Sequence, residues 1–200
     1  MKIIKNIAQG SDEWFSLRIG SLGGSSIGKA TAGGAGKVRK NLLYQMAGEI
    51  LSGQKYEGFT NHHMERGNEL EAKARNSYMA ETYNVVEQVA MFKYSDTEHF
   101  SPDGDMPDLN GIIEIKCVIP SVHVETILSD KVPSAYRKQV QWGMKGGREF
   151  CDFVSYCPAI KEKPIWIKRV KRDAKVIKEL EDGAAKFIEE LMEIVERIRQ

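Results

Sequence analysis

Three residues near the middle of the chain have types and spacing that suit metal-assisted chemistry. Asp103 sits in the turn sequence SPDG, and Glu114 and Lys116 sit in the β-rich run GIIEIKCVI. In a strand, side chains two apart point to the same face. Glu114 and Lys116 therefore project together, with Ile113, Ile115 and Cys117 turned the other way, into a core. Asp103 ends the preceding strand. If the two strands pair as a hairpin, its carboxylate lies near that of Glu114. Two close carboxylates repel unless a cation lies between them, and oxygen ligands of this kind suit Mg²⁺ or Mn²⁺. A lysine beside the metal can orient an attacking water and help deprotonate it, which is what hydrolysis of a phosphodiester needs. The bland alternative is a surface Pro-Asp-Gly turn beside an exposed Glu–Lys strand face, because the pattern is short.

Two polar residues on expected helices bear on that choice. Over residues 62–83, Met64, Gly67, Ala74 and Tyr78 follow the 3-4 spacing of a buried stripe, and Glu71 falls in it. A lone carboxylate facing a core is costly, and a metal would compensate it; a small rotation of the helix would expose it instead. Gln139, in AYRKQVQWGM, shares a helix face with Tyr136 and Gly143. Its amide either supports a water or a metal-bound group or is satisfied by backbone at the edge of the core.

The elements that must position these residues follow from local signals. Ser11, Asp12 and Glu13 read as an N-cap with acids in the first turn, so DEWFSLR is expected to be a short helix. GSLGGSSIGKAT follows, at residues 20–31. It almost fits a nucleotide-binding loop, but Ala30 replaces the required hydroxyl and the preceding residues suit a helix rather than a buried strand. Ser25 and Ser26 can still open a helix, and a phosphate could sit there beside Arg18; the alternative is a flexible turn with a serine cap. Residues 37–52 carry Leu42, Leu43, Met46, Ala47 and Ile50 at helical spacing. A strand is expected over 85–94, then a short strand, a loop and a second strand through IEIK, a helix over 134–147, and two strands in FCDFVSYC and PIWIKRV. The chain closes with an amphipathic helix from Asp173, striped by Val176, Leu180, Phe187, Leu191, Val195 and Ile198. This order suggests a single mixed α/β domain with a central sheet.

Composition is permissive. The 200 residues are 42% hydrophobic and 28% charged, with a net charge of +1. That balance does not advertise a nucleic-acid binder, although a basic channel can be offset by acid elsewhere. Basic residues cluster at Lys29, Lys37, Arg39 and Lys40 and at Lys168, Arg169, Lys171 and Arg172, and such clusters read as solvated faces. Cys117, Cys151 and Cys157 are odd in number and lack C-x-x-C spacing, which argues against a disulfide framework, a zinc site or an iron–sulfur cluster. No apolar run approaches the roughly 20 residues of a membrane span, and MKIIKNIAQGSDEW does not read as a signal peptide. A soluble, reducing compartment is the expectation.

In combination the segments are more specific than any one of them. EWFSLRIGSLGGSSIG, ERGNELEAKAR, SPDG with IEIKC, and AYRKQVQ followed by FCDFVSYCP occur in order over roughly residues 10–157. The sequence resembles the phage lambda-type exonucleases, the YqaJ-like viral recombinase nucleases of the PD-(D/E)XK superfamily. The resemblance implies a restriction-endonuclease-like α/β core, a central mixed sheet flanked by helices, with residues 1–200 as one nuclease domain. It implies that Asp103, Glu114 and the carbonyl of Ile115 bind Mg²⁺ (with Mn²⁺ able to substitute) and that Glu71 serves a second ion. Lys116 would position the water and Gln139 support it, while Arg18 and Ser25 would hold the 5′-phosphate of a DNA end. The implied activity is 5′-to-3′ digestion of linear double-stranded DNA to 5′-mononucleotides, leaving 3′ single strands. Implied partners are DNA ends, two further copies in a ring-shaped trimer, and a single-strand annealing protein, in the cytoplasm of a bacterial host and away from membranes.

Competing readings are an endonuclease or RecB-type repair nuclease on the same core, or a non-catalytic DNA-end-binding scaffold. There are departures from the family pattern. Asp105 stands where the family usually has an apolar residue after SPDG, and it is expected to be solvated. The stretch from Asp103 to Glu114 is about one residue longer, with the surplus expected in the Asp-Leu-Asn-Gly turn. None of His62, His63, His99 and His123 is assigned a catalytic role.

Overall fold

In the computed structural model the chain is described at residues 1–33, 36–55 and 62–200, without the side chains of residues 62–69. The expected stripe positions Met64 and Gly67, and His62 and His63, lie outside those described side chains. The elements in chain order are β1 (Lys2–Ile4), α1 (Asp12–Ser16), α2 (Gly24–Ala30), α3 (Lys37–Ser52), α4 (His62–Thr82), β2 (Met91–Lys93), β3 (His99–Phe100), β4 (Gly104–Met106), β5 (Gly111–Cys117), α5 (Pro120–Ser129), α6 (Ser134–Gly143), β6 (Phe150–Tyr156), β7 (Ile165–Lys171) and α7 (Ala174–Arg199).

Local chemistry sets several of these boundaries. Ser11 Oγ accepts from the Trp14 N–H at 3.3 Å and caps α1. Asp173 Oδ1 accepts from the N–H groups of Lys175 and Val176 and caps α7. Pro120 opens α5, where a missing N–H costs nothing. This helix is not foreseen above, because PSVHVETILS lacks a clear apolar stripe.

Two sheets result. β1, β2 and β3 form an antiparallel three-stranded sheet, and β4, β5, β6 and β7 form a mixed four-stranded one. β5 and β6 run parallel, so their connection must cross over, and α5 and α6 make the crossing. Both faces of β5 are covered. Ile113 and Ile115 pack with Ala74 and Tyr78 of α4. Ile112 joins the larger cluster on the other face, with Phe100, Val140 of α6 and Phe187 of α7. In α7 the buried stripe is Ile177, Leu180, Ala184, Phe187, Leu191 and Val195; Ile198, expected on that stripe, is exposed in the last turn.

The strand expected over 85–94 shrinks to β2. Glu87 alone in the earlier part makes an isolated bridge, to Asp105. α6 ends at Gly143 rather than 147 and runs into turns. The turn before β5 is a short 3-10 segment, Pro107–Leu109, followed by Asn110 in the left-handed region at φ 54°. That is where the surplus residue was expected. Gly104 has a packing reason to be glycine. A Cβ there would stand 2.2 Å from Val86 Cγ1 and 2.9 Å from Ile113 Cγ1, so the SPDG turn brings backbone against its neighbours.

Candidate active site

The β4–β5 register places the first two carboxylates. Gly104 pairs with Ile113 and Asp105 with Ile112; one step further along the same register sets Asp103 across from Glu114. Asp103 Oδ2 accepts from the Ile115 N–H at 2.5 Å, which fixes it at the strand end. Glu114 is buried at 1% exposure. Its Oε1 accepts from Lys116 Nζ and from Gln139 Nε2, both at 2.5 Å. Its Oε2 is buried and has no hydrogen-bond partner among the described residues. Glu71, half-buried on α4, accepts from Arg75 Nη2 at 2.5 Å. Arg75 Nε also donates to the Asp103 carbonyl at 2.7 Å, so one guanidinium ties α4 to the SPDG turn.

The electrostatics fit a site for positive charge. Burial pushes the Glu114 carboxyl up to about 7; the Lys116 ammonium opposes this, while Asp103 and Glu71 add to it. Burial raises Asp103 too, against the pull of Lys116, the Ile115 N–H and Arg75. Glu71 is raised by burial and then by Asp103, against Arg75 and Lys116. Burial would lower Lys116, but the charges of Glu114 and Asp103 outweigh it and hold the ammonium above its ordinary range. Its Nζ also lies 5.2 Å from the centre of the Tyr136 ring. Among the described residues, no three carboxylate, imidazole or thiol groups already close into a metal cage. The carboxylates lean on Lys116 and Arg75 instead. The orphaned Glu114 Oε2 and the three raised carboxyls nevertheless suit a hard divalent cation, whose preferred ligands are oxygens. The residues present therefore fit Mg²⁺ or Mn²⁺.

A second group forms around Arg18. The GSLGG stretch adds to the edge of β3: the Leu22 N–H donates to the Thr97 carbonyl at 2.8 Å, and the His99 N–H donates to the Leu22 carbonyl at 3.1 Å. Close backbone approach needs glycine here. A Cβ on Gly24 would lie 2.4 Å from Phe100 Cδ2 and 3.6 Å from Gln139 Cγ. The first turn of α2 is thereby set against the residue that holds Glu114. Arg18 lies over the Trp14 ring, 3.9 Å from its centre, and its Nε donates to His99 Nε2 at 3.0 Å. His99 must then carry its proton on Nδ1 and donate it to Ser21 Oγ at 2.8 Å. Burial and the Arg18 charge push His99 down to about 3, so it stays neutral. Burial lowers Arg18 to about 10, with Glu49 opposing, and the guanidinium remains charged near neutrality.

A cleft of about 770 Å³ is lined by Arg18 together with Glu71, Arg75 and Asp103, so both groups contribute to it. Ser25 is exposed in the first turn of α2 and does not line this cleft. The structure thus brings Asp103, Glu114, Lys116, Gln139 and Glu71 together and puts Arg18 in the lining of one cleft with Asp103 and Glu71. Ile115 contributes its N–H to Asp103 and its side chain to the core.

Several residues are not foreseen from the sequence. Arg75 was recoverable, being four residues from Glu71 on one helix. His99 carries no local signal, since its partners are distant in sequence. Asp105 corrects an expectation: it is 0% exposed, not solvated. β4 is paired on both edges, with Ile112 on one side and Glu87 on the other, and this encloses the side chain. Asp105 instead binds Arg148 Nη2 at 2.6 Å. The basic clusters are only partly solvated faces, since Arg39 pairs with Glu190, Lys168 with Asp130 and Arg169 with Asp152.

Known proteins bear on this geometry. The YqaJ-like viral recombinase domain matches residues 13–146. The crystal structure of an alkaline exonuclease, LHK-Exo, from Laribacter hongkongensis is similar over 94% of this chain and 96% of that one, at 33% identity and a TM-score of 0.88. LHK-Exo in complex with dAMP matches equally well. A phage related exonuclease from Haemophilus somnus 129PT shares the fold, at a TM-score of 0.63 and 18% identity over 86% of this chain and 95% of that one. No protein of curated function matches the sequence. The mixed sheet with its flanking helices is the restriction-endonuclease-like core.

Proposed function

The chain belongs to the YqaJ-like viral recombinase family and has a nuclease role, and on that premise we propose that it is a Mg²⁺-dependent exonuclease acting on 5′-phosphorylated ends of linear double-stranded DNA. It digests 5′ to 3′, releases 5′-mononucleotides and leaves 3′ single strands for recombination by annealing. The observation that carries the reading is the divided Glu114 carboxylate. One oxygen is fixed by Lys116 and Gln139, and the other is buried and open.

Asp103, Glu114 and the Ile115 carbonyl would hold one ion, and Glu71 would serve a second. Such an ion, if bound there, would supply positive charge at the scissile phosphate and would acidify a water. Lys116 orients the attacking water. Gln139 keeps Glu114 in one rotamer while Lys116 shifts towards substrate. Arg18, held by Trp14 and His99, binds the terminal 5′-phosphate as a planar fork; Ser25, outside the cleft lining, would meet the DNA strand from the first turn of α2. The likeness to LHK-Exo in complex with dAMP supports a mononucleotide product. Residues 1–200 form one nuclease domain in this reading. The assembly we propose is a ring-shaped trimer around DNA, working with a single-strand annealing protein in the bacterial cytoplasm. No described helix is long and apolar enough to cross a membrane.

The test uses linear duplex DNA with a 5′-phosphate at one end, a 5′-hydroxyl at the other, and each 3′ end labelled. With Mg²⁺, the strand that begins with 5′-phosphate is lost as mononucleotides; EDTA or Lys116→Ala stops the loss without stopping DNA binding. Arg18→Ala erodes the preference for the phosphorylated end. Digestion of a covalently closed plasmid would turn the reading towards an endonuclease. No hydrolysis with any divalent metal would leave a DNA-end-binding scaffold.

A further inference from the structure

The cleft between Arg18 and the carboxylates contains an aromatic side chain that the proposed chemistry does not use. Phe15 lines it and remains 37% exposed. Its ring is nevertheless fixed. It meets the Trp14 ring edge-on, with centroids 5.0 Å apart and planes at 70°. Trp14 itself is locked: its indole N–H donates to the Ala90 carbonyl at 3.1 Å and to Ser101 Oγ at 3.2 Å, and Arg18 covers its face. The aromatic pair therefore offers one rigid, partly bare ring on the wall of a cavity whose volume suits a small ligand.

The two groups that line that cavity define what must lie between them. If Arg18 holds the terminal 5′-phosphate and Asp103 and Glu71 flank the scissile phosphate, the nucleoside joining those phosphates spans the cleft. Its sugar is tethered at both ends, and its base has to go somewhere out of the duplex stack. We propose that the 5′-terminal nucleobase stacks on Phe15, which makes the cleft a subsite for the one nucleotide about to be released. This inference rests on the exonuclease reading and deepens it. Stacking on an aromatic ring is indifferent to base identity, because every base has a π-face. That suits an enzyme that must digest any sequence. Gln88 and Asn6, also on the cleft wall, can meet polar base edges without imposing one pattern.

The experiment compares two 5′-phosphorylated duplexes that differ only at the terminal 5′ nucleotide, which is either normal or an abasic tetrahydrofuran analogue. Single-turnover release of that first residue is measured with Mg²⁺ for the wild type, Phe15→Leu and Phe15→Trp. The wild type, in excess over the DNA but below saturation, should release the base-bearing residue about 10-fold faster. Phe15→Leu should flatten the ratio to within about 2-fold by slowing the normal substrate, and Phe15→Trp should keep it. Release of the second nucleotide, which bears a base in both substrates, should not differ between the two duplexes in any of the three proteins, and its occurrence shows that each variant folds and cuts. A flat ratio in the wild type, or an undiminished ratio in Phe15→Leu, overturns the stacking role while leaving the exonuclease intact. Failure of the wild type to digest either duplex overturns the exonuclease reading, and the subsite falls with it.

Discussion

Replacing Glu114 by Gln tests whether the site is built for a cation, and it can be read without any DNA. The carboxyl is buried and raised from its ordinary value of 4.5 to about 7, first by burial and then by the neighbouring acids against Lys116. Below pH 4.5 it is protonated in the folded and unfolded chains alike, and it costs nothing. Between 4.5 and 7 the unfolded chain releases the proton while the folded protein retains it. Stability therefore falls as pH rises through that window, by about 1.4 kcal/mol per unit. The full rise corresponds to roughly 3 kcal/mol, complete above pH 7. For a chain of this size that is roughly 6–12 °C in melting temperature. Glu114→Gln has no such titration. In EDTA, the melting temperature of the variant minus that of the wild type should grow by most of this amount between pH 5 and pH 8. Mg²⁺ should raise the wild-type midpoint at pH 8, where the carboxylate is ionised, and leave the variant nearly unmoved. Differential scanning calorimetry measures both. If the difference between the two proteins is the same at pH 5 and pH 8, Glu114 is not the strained carboxylate described above and the cation-site argument fails.

The neighbouring networks give further expectations. His99→Leu removes the acceptor for Arg18 Nε without touching a carboxylate; the preference for 5′-phosphate over 5′-hydroxyl ends should drop about 10-fold, as for a lost hydrogen bond to a charge, and an unchanged end preference in the labelled-duplex assay would refute the role. Arg148→Met strands the buried Asp105 carboxylate, which should cost about 3–5 kcal/mol in urea unfolding. Asp105→Leu in the same chain should recover much of it, and a single variant as stable as wild type would show that the pair is dispensable.

The hairpin beside Glu114 was legible because its determinants are local. Strand alternation alone puts Glu114 and Lys116 on one face, and the Pro-Asp-Gly signal marks the turn that carries Asp103, although Asp103 comes just before β4 and does not end the strand before it. Gln139 follows from helical spacing on α6. What escaped was set by distant partners. Asp105 looks like a surface acid until Glu87 closes over the far edge of β4. His99 acquires its task only from Arg18 and Ser21. The expected strand over 85–94 fails for a similar reason: its apolar residues fit β structure, but only Met91–Lys93 join a ladder, with β1 and β3, while Glu87 makes its bridge to Asp105 alone. α5 was invisible because its exposed positions carry Val124 and Leu128, which blur the helical pattern.

Those differences in reach also divide the protein by how it must assemble. Asp103 and Ile115 are 12 residues apart, and Glu114 and Gln139 are 25 apart. Arg18 and His99 are separated by 81 residues, and Gln9, whose amide clasps the Val89 and Pro102 carbonyls, by as many as 93 from its partner. Closing the longer loops costs about 2 kcal/mol more chain entropy than closing the shortest, and such contacts are slow to form. The group around Asp103 and Glu114 can thus organise early, whereas the group around Arg18 is completed late. In native-state hydrogen exchange, the amides around Gln9 and Arg18 should open before those of β5 and β6.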